Sequence, residues 1–231
     1  MRTVRSGRSA RRGLLAAAVA GALLLGAAGC GGDGEPEGGQ KTPKDYKVVA
    51  GTELCGGNAI SADASRALEV ITGEPRFEAS GERYTVERAA ADLVDAFGTP
   101  DVWEGDACRV YTPLGTTDFE LRIIWTWLEG PPKGKPAQKF TLLKMGEETG
   151  AASNEAYVLF ECRSDKLAGS STAAHLMISA EHRTVSEPED NVDALKDAYA
   201  TVAHSYSLAM AKELGCEKNG GLPEEAVLDR A

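Results

Sequence analysis

Between Phe119 and Trp127 apolar and polar side chains alternate. Phe119, Leu121, Ile123, Trp125 and Trp127 take every second position. A period of two places them on one face of a β-strand. Shorter stretches of strand character cover residues 108–111, 139–145, 157–163 and 175–181. Turn-forming stretches separate them: Pro113-Leu114-Gly115, residues 130–136, residues 146–154, and Gly169-Ser170-Ser171. Ahead of the strands the period lengthens. Ser61 precedes Ala64, Ala67, Leu68 and Ile71 on one side of a short helix, and Gly73 follows it. A serine cap and a glycine stop are the ordinary ends of such a helix. Thr85 opens a second helix, with Val86, Ala89, Ala90, Leu93 and Phe97 as its stripe and Gly98 as its end. A long third helix is predicted over residues 191–214. There Val192, Leu195, Tyr199, Val202, Tyr206 and Ala209 recur every three or four residues before Gly215.

Two helices, about five strands and one long helix predict an α+β fold. The expected form is an antiparallel sheet of about five strands, covered on one face by the two N-terminal helices and the long C-terminal helix. The domain spans residues 46–216, and a polar tail, 217–231, is expected to be loose. Trp125 and Trp127 share the parity of Leu121, which assigns them to the core.

The chain begins differently. Arg2, Arg5, Arg8, Arg11 and Arg12 precede an apolar stretch from Leu14 to Ala28 that is rich in Ala and Leu. A basic start, a short apolar middle and small residues before a cleavage point describe a signal peptide over residues 1–29. The stretch falls short of the roughly 20 apolar residues of a membrane span. Residues 30–45 hold almost no apolar side chain and read as a flexible linker.

Charge narrows the partners. Removing residues 1–29 takes away five of the 25 Lys+Arg and none of the 35 Asp+Glu, leaving a net charge of −15. Nucleic acid, which rewards basic surfaces, is excluded as a partner. Five cysteines are present. If Cys30 is set aside, Cys55, Cys108, Cys162 and Cys216 are even in number and predict two disulfides outside the cytoplasm. Strand parity turns Cys108 and Cys162 toward the core and suggests that they pair. Cys55 and Cys216 then remain for each other, although all three connectivities stay open.

Candidate chemistry is sparse. His175, His182 and His204 belong to no metal-binding spacing, and no metal or other cofactor is expected. Gly169-Ser170-Ser171-Thr172-Ala173 lacks the second glycine of a nucleophile turn. The acids Glu187, Glu189, Asp190 and Asp193 lack calcium-loop spacing and suit a helix start. Cys55-Gly56-Gly57-Asn58 reads as a turn beside a disulfide. One loop stands out: Lys133, Lys135 and Lys139 make residues 129–139 locally basic in an acidic domain, with three prolines to stiffen it. Together with Trp103, in the loop before Cys108, these lysines are the candidate binding residues.

Ala27-Ala28-Gly29-Cys30 resembles the lipobox of bacterial lipoproteins, with Ala27 where leucine is usual. That resemblance implies that the Cys30 thiol receives diacylglycerol, with palmitate among its acyl chains, and becomes the new N-terminus. Arg11-Arg12-Gly13-Leu14-Leu15 resembles a twin-arginine export signal, departing from it at Ala10, Leu14 and Ala16. The general and the twin-arginine routes both stay open. With the glycine-rich linker, Leu54-Cys55-Gly56-Gly57 before an Ala-rich helix and the closing Ala211-Lys212-Glu213-Leu214-Gly215-Cys216, the plan resembles the small secreted lipoproteins of actinobacteria that have no assigned function. The resemblance implies a protein held by lipid on the outer face of the cell membrane. The function expected is a non-catalytic extracytoplasmic binding domain for an envelope protein or wall component. A hydrolase with a dispersed carboxylate site and a lipid carrier are the alternatives, and enzymatic activity is left open.

Overall fold

The computed structural model describes residues 46–101, 103–167, 173–183 and 190–231. They belong to one compact unit. The signal peptide, Cys30 and the linker lie outside the described residues, as do Gly169 to Thr172, Glu187 and Glu189.

The fold is α+β. Strands β1 (Val48–Ala50) and β2 (Arg76–Glu78) form a small antiparallel pair. The main sheet holds six strands: β3 (Glu104–Tyr111), β4 (Glu120–Leu128), β5 (Thr141–Leu143), β6 (Glu148–Ala151), β7 (Glu155–Cys162) and β8 (Ala174–Glu181). Their spatial order is β3-β4-β8-β7-β6-β5, and every neighbouring pair is antiparallel. The alternation predicted for β4 appears as burial of Leu121, Ile123, Trp125 and Trp127. The sixth strand, β6, falls within residues that read as a turn. Its segment Glu-Thr-Gly-Ala carries no large apolar side chain. Gly150 leaves its Cβ position to the Tyr157 ring, which lies across it from β7.

Helices α1 (Ala62–Thr72), α2 (Val86–Ala96) and α3 (Val192–Leu214) fall where the periodicity places them. The Ser61 hydroxyl accepts from the Ala64 amide at 3.1 Å, and the Thr85 hydroxyl from the Arg88 amide at 3.2 Å. Each contact satisfies one of the donors that a helix start leaves unpaired. Gly73 and Gly215 close α1 and α3 at φ 76° and 72°, the left-handed conformation that glycine adopts without strain. Helix α3 packs on β7 and β8, and α2 packs on β3. Helix α1 is carried by α3. The Ser205 hydroxyl joins the two, accepting from the Ser61 amide at 2.8 Å and donating to the Ala59 carbonyl at 2.9 Å. Tyr206, fully buried, donates its hydroxyl to the Ala107 carbonyl at 3.1 Å.

The disulfides join Cys55 to Cys108 and Cys162 to Cys216. This replaces the pairing expected from parity. Cys108 and Cys162 do share the core face, but β4 and β8 stand between their strands. Three inter-strand steps of about 4.8 Å exceed any disulfide span. Cys55 lies in the 3-10 turn Gly51–Gly56, against β3, and Cys216 follows α3 over the end of β7.

The C-terminal segment is not loose. Asp229 and Leu142 carbonyls accept from the Lys144 and Ala231 amides, and Arg230 bridges Leu143. Leu222 is buried, and the Pro223 carbonyl bonds His204 Nε2 at 2.9 Å. Backbone pairing with β5 holds what composition alone reads as a tail.

Candidate functional site

Helices cover one face of the sheet, and the opposite face is built from the alternate residues of each strand. Read across the strands, it forms successive rungs. Leu128, His175 and Glu161 stand side by side, then Thr126, Met177, Leu159 and Glu148, then Ile124, Ser179, Tyr157 and Gly150. The last of these rungs holds Arg122, Glu181 and Glu155. This face therefore places Leu159, Met177 and Ile124 among polar neighbours in its middle and carries charged groups at both ends.

The basic loop, residues 129–140, folds back over that middle. Phe140 meets the Tyr157 ring edge-on, with centroids 5.0 Å apart. Beneath the loop lies a cleft of about 300 Å³. Leu128, Leu159, Met177 and Tyr157 form its floor, Pro132 to Ala137 form its roof, and Glu148, whose carboxylate accepts from the Tyr157 hydroxyl, also lines it. Burial, followed by the hydrogen bond to Glu148, raises the Tyr157 pKa, so the phenol stays a neutral donor, 2.7 Å from the Glu148 carboxylate.

The structure separates the predicted binding residues. Lys133 and Lys135 line the cleft, are exposed, and form no ion pair among the described residues. Lys139 is committed elsewhere: it pairs with Glu155 and lies over the Phe140 ring. Trp103 is not brought to the cleft. It is 42% exposed and stacks on Trp127, whose side chain belongs to the helix-covered core. Sequence reading missed the floor residues. Leu159 and Met177 lie on the face opposite the core parity, and only the strand register shows that they adjoin.

One end of the open face is a salt-bridge network. Asp106 accepts from Arg122 at 2.6 Å and from Arg109 at 2.5 Å; Arg109 also donates to Glu120 at 2.9 Å. Burial pushes the Asp106 pKa upward, but the bonds from Arg122 and Arg109 outweigh it and hold the pKa below the usual range. Arg122 also reaches Glu181 at 3.4 Å. Arg183, 3.1 Å from Glu181, completes three carboxylates against three guanidiniums, in contrast to the lysines of the loop.

His182 stacks on Phe119 and bonds the Glu120 carbonyl through Nδ1 at 2.8 Å. His204 is buried under the C-terminal segment, and burial lowers its pKa. Cys55, Gly56 and Gly57 form the predicted turn, and Asn58 donates to Glu87 at 2.8 Å. Asp193 pairs with Arg230 and Lys196 at the start of α3. A larger recess, about 530 Å³, lies between α1, α3 and the C-terminal segment. Of its acidic groups, Asp63 and Glu224 are held by Arg66 and Lys212, and Glu225 lines it as well. Among the described residues no helix is long and apolar enough to cross a membrane. Neither the sequence nor the fold finds a match: no family model, no curated protein and no solved structure is similar to this chain.

Proposed function

We propose that this chain is a cell-envelope lipoprotein, anchored by diacylglycerol on Cys30 to the outer face of the cell membrane. Its ectodomain would bind, without catalysis, an anionic, partly apolar component of the envelope in the cleft beneath residues 129–140. The observation that carries the binding reading is the pairing of an apolar floor with two uncommitted lysines, Lys133 and Lys135, in a domain that is otherwise strongly acidic. Such a cleft holds an apolar chain against Leu159 and Met177 and an anionic group at the roof. Its volume lies at the lower end of the range for small-ligand sites. The anchor reading is supported by the small residues before Cys30 and by the cysteine count. Two bridges use all four cysteines among the described residues, and the fifth is Cys30.

Of the alternatives, a lipid carrier would need room between sheet and helices, where Phe160, Ile178, Tyr206 and Met210 are fully buried against one another. A hydrolase would need a carboxyl of raised pKa in a cleft. Asp197 is raised, first by burial and then by Asp193, but it sits on α3 away from the cleft.

The binding test is calorimetric titration with short-chain phosphatidylglycerol and phosphatidylcholine. Wild type should take the anionic lipid more tightly, and Lys133→Glu combined with Lys135→Glu should weaken it at least tenfold and abolish the preference. Equal affinity for both lipids in both proteins would sink the cleft reading. For the anchor, Cys30→Ala should move the protein from the membrane to the soluble fraction. A variant that stays membrane-bound after cleavage would refute lipidation.

A further inference from the structure

Independently of the cleft reading, the geometry points to a divalent-cation site at the other end of the open face, formed by Glu147, Glu161 and His175. One donor atom from each of the three lies within 4.8 Å of the others. Backbone register makes this convergence a property of the fold. Glu161 and His175 are direct partners across β7 and β8, which sets their Cβ atoms about 5 Å apart. Glu147 comes from the turn before β6, and its amide donates to the Leu159 carbonyl at 2.8 Å. All three ligand backbones are thus tied to β7 or to its neighbour.

An ordinary ion pair accounts for only part of the cluster. His175 Nδ1 and Glu147 Oε2 are 2.8 Å apart, and that contact satisfies both groups. The Glu161 carboxylate then stands beside another carboxylate with no cation or hydrogen-bond donor of its own among the described residues. Like charges so placed repel, and a bound cation removes the repulsion. His175 has a side chain only 15% exposed, flanked by Leu128 on β4, so the nitrogen is presented from a partly dry wall.

The donor set selects among metals. One imidazole nitrogen and two carboxylate oxygens suit zinc or another first-row divalent ion; calcium takes six to eight oxygens. Tetrahedral zinc with bonds of about 2.0–2.2 Å brings its donors to about 3.4 Å from one another. Reaching that spacing requires the Glu147–His175 contact to open from 2.8 Å and the exposed Glu161 carboxylate to swing in.

The test is calorimetric titration of the full-length protein, extracted in detergent, with Zn²⁺, alongside thermal melts. Wild type should bind one equivalent with micromolar or tighter affinity and melt at a higher temperature when loaded. Glu161→Gln and His175→Ala should each weaken binding at least tenfold. Glu161→Gln is isosteric and exposed, so it reports on the site even if His175→Ala disturbs the strand. Glu148→Gln, whose parent carboxylate is held by Tyr157, should bind as wild type does. No saturable binding, unchanged affinity in the first two variants, or an equal loss in Glu148→Gln would each overturn the assignment. Lipid titration does not enter this readout, so the site stands or falls apart from the cleft.

Discussion

Two residues make the fold sensitive to acid, by different routes. Asp106 is held ionised by Arg122 and Arg109, which leaves its folded pKa below its unfolded value. The stability it contributes is complete above about pH 4 and is lost as pH falls through the folded pKa. Asp106→Asn should therefore lower the unfolding free energy at pH 7 by about 1–2 kcal/mol in urea titration, and less at pH 3. His204 acts at higher pH. Its folded pKa is lowered from 6.5, chiefly by burial, so the unfolded chain takes up the proton first. Stability should fall as pH drops below about 6.5, before most carboxylates titrate. His204→Gln, which keeps a donor for the Pro223 carbonyl, should flatten the melting temperature between pH 7.5 and 5.5. His204 was readable from sequence only as a helix residue, because the segment that buries it returns from nearly twenty positions downstream.

At the scale of elements, the helices were legible because their signals are local. Caps at Ser61 and Thr85, stripes at helical spacing and the glycines after α1 and α3 all lie within a few residues of what they control. Strand β4 was legible for the same reason. Strand β6 was not, because its reason for being a strand is the Tyr157 ring opposite Gly150, a contact between segments. The candidate site shares that difficulty. The lysines stand out by composition, whereas Leu159 beside Met177 and Glu161 beside His175 exist only through register. The turn that starts β6 offers a test. Gly146 has φ +64°, and a Cβ there would stand 2.4 Å from the Leu159 carbonyl oxygen. That neighbour is backbone and cannot swing aside. Gly146→Ala should destabilise the protein by about 1–3 kcal/mol in urea titration and displace Glu147 with it.

For the whole molecule, the cysteine count was legible and the pairing was not. Parity reports which face a residue takes, whereas a disulfide requires that its strands be neighbours. The observed bridges close loops of 53 and 54 positions, each nominally worth about 4 kcal/mol in the chain-entropy model, an upper figure. Reduction should lower the melting temperature markedly, and a reduced protein that melts as the oxidised one does would contradict this. The bridges also do not interleave: the first of the four cysteines joins the second, and the third joins the fourth. A chain threaded N-terminus first into an oxidising space would present Cys55, Cys108, Cys162 and Cys216 in turn. On that route partners meet in native pairs simply by order of arrival, so a chain exported unfolded should mature without an enzyme to reshuffle its bonds.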